Sequence, residues 1–95
     1  MPEPIREKLR TIPDKPGVYF FRNGAGKIIY VGKGASLRSR VRSYFGSQRG
    51  FSPKTLSLVR ASEDLEFLVT DSEVEALILE INMIKRYRPR YNIVF

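Results

Sequence analysis

A chain of 95 residues holds one small domain with a single core and leaves no room for a separate cofactor-binding domain. Seventeen Lys and Arg against ten Asp and Glu give a net charge of +7, which favours a polyanionic partner, nucleic acid ahead of an anionic membrane. With no cysteine and no histidine, disulfide scaffolds, zinc fingers, thiol nucleophiles and imidazole chemistry are excluded, so catalysis must rest on Tyr, Lys, Arg, Ser and carboxylates.

Ile5, Leu9 and Ile12 recur at helical spacing and Pro13 ends the segment, which predicts a short first helix over 5–12. Val18–Arg22 and Lys27–Gly32 are rich in β-formers and flank the turn residues Asn23-Gly24-Ala25-Gly26, predicting a hairpin. A four-residue loop at 23–26 sets Phe21 opposite Ile28, Tyr19 opposite Tyr30 and Gly17 opposite Gly32. Both phenols then share one face, with Cβ atoms about 5 Å apart.

Ser36 is placed to cap a helix over Leu37–Phe45, with Leu37, Val41, Tyr44 and Phe45 as its apolar stripe. Arg38 and Arg42 fall together on the outer, phosphate-facing side, whereas Arg40 lies at the rim of the stripe, one turn before Tyr44. A loop at 46–53, a short helix over Lys54–Arg60 and a third strand near Leu65–Thr70 follow. Ser72-x-x-Glu75 reads as a capping box opening the longest helix, which runs to about Tyr87 ahead of Pro89. Val74, Leu77, Ile78, Ile81 and Ile84 form its main stripe, with Leu79 and Met83 elsewhere. Glu80 is the only formal charge between Ala76 and Ile84; partial desolvation there is costly unless an arginine, a lysine or a metal compensates. The expected fold class is α+β, a three-stranded antiparallel sheet packed among helices.

Charge is segregated along the chain. Ten bases and no acid lie between Lys15 and Ser62, and seven acids and no base between Glu63 and Glu80. Lys85, Arg86, Arg88 and Arg90 then restore the positive sign. No run of about eighteen apolar residues and no signal-type N-terminus is present, so a soluble cytoplasmic protein is expected. The apolar ending Asn92-Ile93-Val94-Phe95 suggests that residues 1–95 are one monomeric domain of a longer protein.

Gly17-Val18-Tyr19 and Tyr30-Val31-Gly32 match, with Val in place of Ile, the two short motifs that name the GIY-YIG nucleases. Lys33, Arg40, Glu80 and Arg88-Pro89-Arg90-Tyr91-Asn92 follow at that family's spacing. The chain resembles the family over essentially its whole length, and Leu37–Phe45, Ala76–Lys85 and Tyr87–Asn92 are similar in wording to its nucleotide-excision-repair branch. One departure is Gly34-Ala35, where many relatives carry a lysine, so any phosphate contact from that side chain is missing. The resemblance implies the GIY-YIG fold and metal-dependent hydrolysis of a DNA phosphodiester, the cut on the 3′ side of a lesion, in the bacterial cytoplasm. It implies damaged double-stranded DNA as substrate, with UvrB as a partner reached mainly through regions absent from this chain.

In-line attack on a phosphodiester needs a deprotonated water, relief of charge on the phosphoryl oxygens and stabilisation of the leaving oxygen. With one carboxylate in the motif set, the expectation is one divalent cation, Mg²⁺ or Mn²⁺, held by Glu80, phosphate oxygen and water. Tyr30 is expected to take the proton from water, its phenolate favoured by Lys33, Arg40 or the metal-bound water network. Arg40 is expected to stabilise the phosphate, Tyr19 to position Tyr30 or the water, Lys33 to contact phosphate and Tyr44 to line the pocket. Asn92 either joins the site or ties down the chain end. Lys33, Arg38, Arg40, Arg42 and Lys54 are the expected DNA contacts, with Gly17 and Gly32 as structural motif residues.

Taken without the family, each feature has a structural reading: hairpin tyrosines pack in cores, the arginines form a solvated face, and Glu80 balances Arg40. The rival functions are a non-catalytic nucleic-acid binding module and a homing or structure-specific endonuclease of the same family. All predict salt-sensitive binding, and only the enzymes predict strand scission that EDTA stops.

Overall fold

Gly17–Arg22 (β1), Ile28–Gly34 (β2) and Asp64–Val69 (β3) form an antiparallel sheet in the order β2-β1-β3. The helices are Glu3–Thr11 (α1), Leu37–Arg42 (α2), Pro53–Ala61 (α3) and Glu73–Tyr87 (α4), and a 3₁₀ turn spans Arg90–Asn92. This computed structural model describes residues 1–92; the apolar ending at Ile93-Val94-Phe95 lies outside the described residues. The α+β expectation of a three-stranded antiparallel sheet among helices holds. Among the described residues, no helix is long and apolar enough to cross a membrane.

Alternation along β1 sends Tyr19 and Phe21 to one face and Val18 and Phe20 to the other, yet all four are buried because helices cover both faces. On the tyrosine face Ile5 and Ile12, Leu37 and Val41, and Leu58 pack against Tyr19, Phe21, Ile29 and Leu65. On the opposite face α4 closes over Val18, Phe20, Ile28 and Val31.

The hairpin register differs from the expected one. Tyr19 pairs with Gly32, Phe21 with Tyr30 and Gly17 with Gly34. Two single-residue offsets cause this. The loop closes on Asn23 and Lys27, whose Asn23 N–H donates to the Lys27 carbonyl at 3.0 Å, with Gly26 at φ +80 completing the turn. Arg22 then faces Ile28, but Phe21 faces Tyr30, so Ile29 is the extra residue of a bulge. The offsets add to two, which restores side-chain parity. Tyr19 and Tyr30 therefore still share a face as diagonal neighbours, with ring centres 6.2 Å apart.

Helix α2 is capped by Ser36, whose hydroxyl accepts from the Ser39 N–H at 3.2 Å. It ends at Arg42 rather than Phe45 because the chain tightens: the Tyr44 N–H donates to Val41 and the Phe45 N–H to Arg42, a three-residue spacing. Helix α3 starts at Pro53 behind its Ser52 cap. At α4 the Ser72 hydroxyl accepts from the Glu75 N–H, but the Glu75 carboxylate reaches past the cap to the Asp71 N–H, so the capping box is reciprocated one residue early.

Of the expected α4 stripe only Ile84 packs inward; the buried side is otherwise the opposite one. Ala76, Leu79, Met83 and Ile84 pack on the sheet, whereas Val74, Leu77, Ile78 and Ile81 face outward, Val74 being 68 % exposed. At 100° per residue Ala76, Leu79, Glu80, Met83 and Ile84 make one coherent face, and small Ala76 lets the helix approach the sheet closely. The helix is apolar nearly all round, so periodicity alone did not choose between the two faces.

Candidate active site

Tyr19 is fully buried, and its hydroxyl shares a 2.7 Å hydrogen bond with the Tyr44 hydroxyl. Its ring lies across Gly32 on the neighbouring strand: a Cβ there would collide with the phenol and stand 2.9 Å from Cε1. Gly17 is equally confined, by the Leu68 carbonyl and by Leu37 Cδ1 at 2.7 Å. Both motif glycines are thus demanded by close approach, the first by β3 and α2, the second by the tyrosine.

Tyr30 stands half-buried beside this pair, its ring 6.4 Å from that of Tyr44. The Arg40 guanidinium is 5.7 Å from the Tyr44 ring centre, so the rim position read from α2 does aim this arginine at the tyrosines. Tyr30, Arg40, Ser43, Tyr44 and Thr55 border an open groove of about 440 Å³ that continues along Gly50-Phe51-Ser52. Next to it lies a smaller cavity of about 190 Å³ lined by Tyr30, Tyr44, Lys54, Thr55, Leu58 and Tyr91.

Glu80 lies on α4, on the other side of the sheet along the edge strand β2, and lines neither the groove nor the small cavity. Burial pushes the Glu80 carboxyl above the usual carboxylate range, and the charges of Lys33 and Arg40 pull against that rise. Arg40 is therefore in electrostatic reach of Glu80 as well as of Tyr19 and Tyr30. Yet among the described residues neither the Glu80 nor the Arg40 side chain forms an ion pair, and the two are not bonded to each other. The structural reading in which Glu80 is consumed by Arg40 has no contact to support it.

The phenols are not poised as bases in the free site. Burial, followed by the proximity of Tyr44, pushes Tyr30 up to about 12, and Arg40 only partly offsets this. Burial raises Tyr19 further. Arg40 favours the Tyr30 phenolate, as expected, but desolvation outweighs it, and Lys33 is not among the groups that shift this phenol.

Asn92 is spent on backbone. Its Oδ1 accepts from the Val31 N–H at 2.8 Å and its Nδ2 donates to the Val31 carbonyl at 2.9 Å. The amide thus pairs with the free edge of β2 between Tyr30 and Gly32, as a neighbouring strand would. It arrives there because Arg88, in the left-handed region at φ 44, reverses the chain after α4 and buries Pro89. Both ends of the Asn92 amide are thus engaged by the Val31 backbone.

Arg38 and Arg42 are not gathered into the groove. Arg38 Nε donates to the Ile12 carbonyl and Arg42 to the Leu9 carbonyl, both at 3.1 Å, tying α2 to the C-terminal end of α1. Lys54, by contrast, lines the small cavity beside Tyr30. Ser43 and Thr55 on the groove, and Leu58 and Tyr91 on the small cavity, were not singled out by the sequence; a lone hydroxyl or leucine carries no local signal. Tyr91 lay within a quoted motif, but its 2.9 Å hydrogen bond to Ser57 spans 34 positions.

A cation here would have one protein carboxylate. No cluster of three His, Cys, Asp or Glu occurs among the described residues, and Glu80, free of ion pairs, is within electrostatic range of Lys33 and Arg40. That donor set suits Mg²⁺, which keeps several waters and takes one or two carboxylates plus substrate phosphate.

Comparison with known proteins agrees with this geometry. The chain is 57 % identical over 89 residues to UvrABC system protein C of Chlorobium chlorochromatii, and 53 % identical over 90 residues to that of Clostridium botulinum. These matches take in 94 % and 95 % of the chain but only 14 % and 15 % of the relatives, so the chain spans about one-seventh of their length. The crystal structure of the GIY-YIG N-terminal endonuclease domain of UvrC from Thermotoga maritima, bound to its catalytic divalent cation magnesium, superposes with a TM-score of 0.85 at 43 % identity. It covers 98 % of this chain and 100 % of that one. A point mutant of the same Thermotoga domain, also bound to its catalytic divalent cation, superposes with a TM-score of 0.86 at 41 % identity. Residues 15–93 match the UvrC-like GIY-YIG domain, and the chain belongs to that family.

Proposed function

We propose that this chain is a divalent-metal-dependent DNA endonuclease domain that makes the 3′-side incision of bacterial nucleotide excision repair. In this reading it acts in the cytoplasm, within a longer UvrC protein, on damaged DNA already engaged by UvrB. The observation that carries the proposal is the reach of one guanidinium: Arg40, on the groove, influences both the Tyr30 phenol and the Glu80 carboxyl, which come from opposite faces of the sheet.

The scissile phosphate lies against Arg40, which neutralises charge developing on its oxygens. Glu80 holds Mg²⁺ or Mn²⁺, and the ion, when bound, supplies further charge neutralisation to the phosphate and the departing oxygen. Tyr30 accepts the proton of the attacking water. Tyr30 stands at about 12 in the free site, and Arg40 is the neighbouring charge that draws it down toward the phenolate; a cation held by Glu80 would supply further positive charge. Tyr19 and Tyr44, joined through their hydroxyls, fix the ring beside them, and Lys33 contacts a flanking phosphate.

The test is cleavage of labelled DNA with Mg²⁺. Tyr30→Phe and Glu80→Gln are each expected to abolish scission while leaving DNA affinity nearly unchanged, and EDTA to stop the parent chain. A parent chain that binds DNA and never cuts it, with its partners supplied, marks a binding module instead. A variant that cuts at the parent rate removes the role given to that residue.

A further inference from the structure

The geometry points to a second function for the groove: we infer that the smaller cavity beside Tyr30 receives an unpaired nucleobase of the strand being cut, next to the scissile phosphate. This rests on the nuclease reading for the placement of the phosphate at Arg40. The cavity and the phosphate groove share Tyr30, Tyr44 and Thr55, so one continuous trough runs from Arg40 to Tyr91. A nucleotide whose phosphate sits at the Arg40 end has its base in the adjoining space.

The chemistry of the two ends differs. The small cavity has a floor of buried Leu58 and walls contributed by three aromatic residues, Tyr30, Tyr44 and Tyr91. Its lining mixes polar and apolar surface, and exposed Lys54 is the one cation among the lining residues. A base gains there, because any base has a π-face to set against an aromatic ring, and a hydroxyl from Thr55 stands at the rim. Tyr91 is prepared for that contact. Its hydroxyl bonds the Ser57 hydroxyl at 2.9 Å, and the Arg90 guanidinium stands 5.6 Å from its ring centre.

A base stacked in a duplex does not reach into a slot of this kind; it must leave the stack. The cavity therefore selects DNA that is locally unpaired beside the cut, which would add a structural check to the chemistry of the groove.

The experiment reads binding without cleavage. The ¹⁵N-labelled chain is titrated in EDTA with the trinucleotide d(TTT), with trinucleotides in which one base at a time is replaced by an abasic tetrahydrofuran unit, and with a fully paired short duplex. Expected are amide shifts at Thr55, Leu58 and Tyr91 with d(TTT), and about fivefold or greater loss of affinity when one particular base is missing. Tyr91→Ala should erase that discrimination and Tyr91→Phe should keep it. Equal affinity for intact and abasic trinucleotides, or the same three amide shifts with the paired duplex, overturns the inference. Cleavage assays run separately: loss of base discrimination with scission intact sinks the base pocket alone, and discrimination without scission under any metal sinks the nuclease reading alone.

Discussion

The side-chain amide of Asn92 makes both hydrogen bonds of a strand partner with Val31, one accepted and one donated, at the otherwise free edge of the strand that carries Tyr30. A residue far along the chain thereby holds the backbone next to the tyrosine proposed as base. Asn92→Ala is expected to cost about 1–2 kcal/mol in urea unfolding and to expose the Val31 amide to hydrogen exchange. Asn92→Asp keeps the acceptor and loses the donor, so it should protect the Val31 amide while recovering only part of the stability. A reactive role for Asn92 would instead leave exchange unchanged and lower only the rate of cleavage.

The contact between Tyr19 and Gly32 predicts that Gly32→Ala destabilises the fold by about 1–3 kcal/mol, the range for forcing an extra methyl group into a filled core. Near-ultraviolet circular dichroism should change with it, because the added methyl displaces a ring that is in contact with Phe21, Tyr30 and Tyr44. Unaltered stability and spectrum would mean that the tyrosine does not lie across this strand.

Tyr30 titrates near 10 in an unfolded chain and about 12 in the folded one, so between these values the folded protein holds a proton that the unfolded chain has released. Its stabilising contribution is complete below pH 10 and lost as pH rises through 12. The chain should therefore weaken toward unfolding over that alkaline window, and Tyr30→Phe should weaken less, as followed by thermal melts at stepped pH.

Glu80 has a carboxyl raised by burial, so its ionisation opposes folding at neutral pH. Glu80→Gln is expected to be more stable than the parent at pH 7, with the advantage shrinking as pH falls and gone well below pH 4, where the parent carboxyl is protonated in both states. Mg²⁺ should raise the melting temperature of the parent and not of the variant.

Much of this architecture could be read from residue order. The β-formers around Asn23–Gly26, the serine caps at 36 and 72 and the inward aim of Arg40 all rest on local chemistry, and all are present in the fold. Three features were not legible because each depends on partners distant in sequence or on coupled small offsets. The hairpin slipped by two because a three-residue turn and the extra Ile29 compensate each other, which loop length alone does not reveal. Helix α4 buries the side that carries Glu80, and because the helix is apolar nearly all round, the larger Val74, Leu77, Ile78 and Ile81 made the opposite side look like the main stripe. Arg38 and Arg42 share a face as expected, but the carbonyls that occupy them belong to another helix.

That last point separates two kinds of arginine. Arg38→Ala and Arg42→Ala are expected to cost about 0.5–1.5 kcal/mol each in stability, with little change in the salt dependence of DNA binding. Lys33→Ala and Lys54→Ala should leave stability nearly intact and each reduce the slope of log affinity against log salt by about 1. The reverse pattern would put the DNA on the α1 side of the molecule.

The most direct measurement is an anomalous-difference map from crystals of the chain soaked in Mn²⁺. The account predicts one peak bonded to a Glu80 carboxylate oxygen, facing Tyr30 and Arg40 across the edge of β2. A peak on other ligands with Glu80 bare, or one whose bonding side turns away from those two residues, contradicts it.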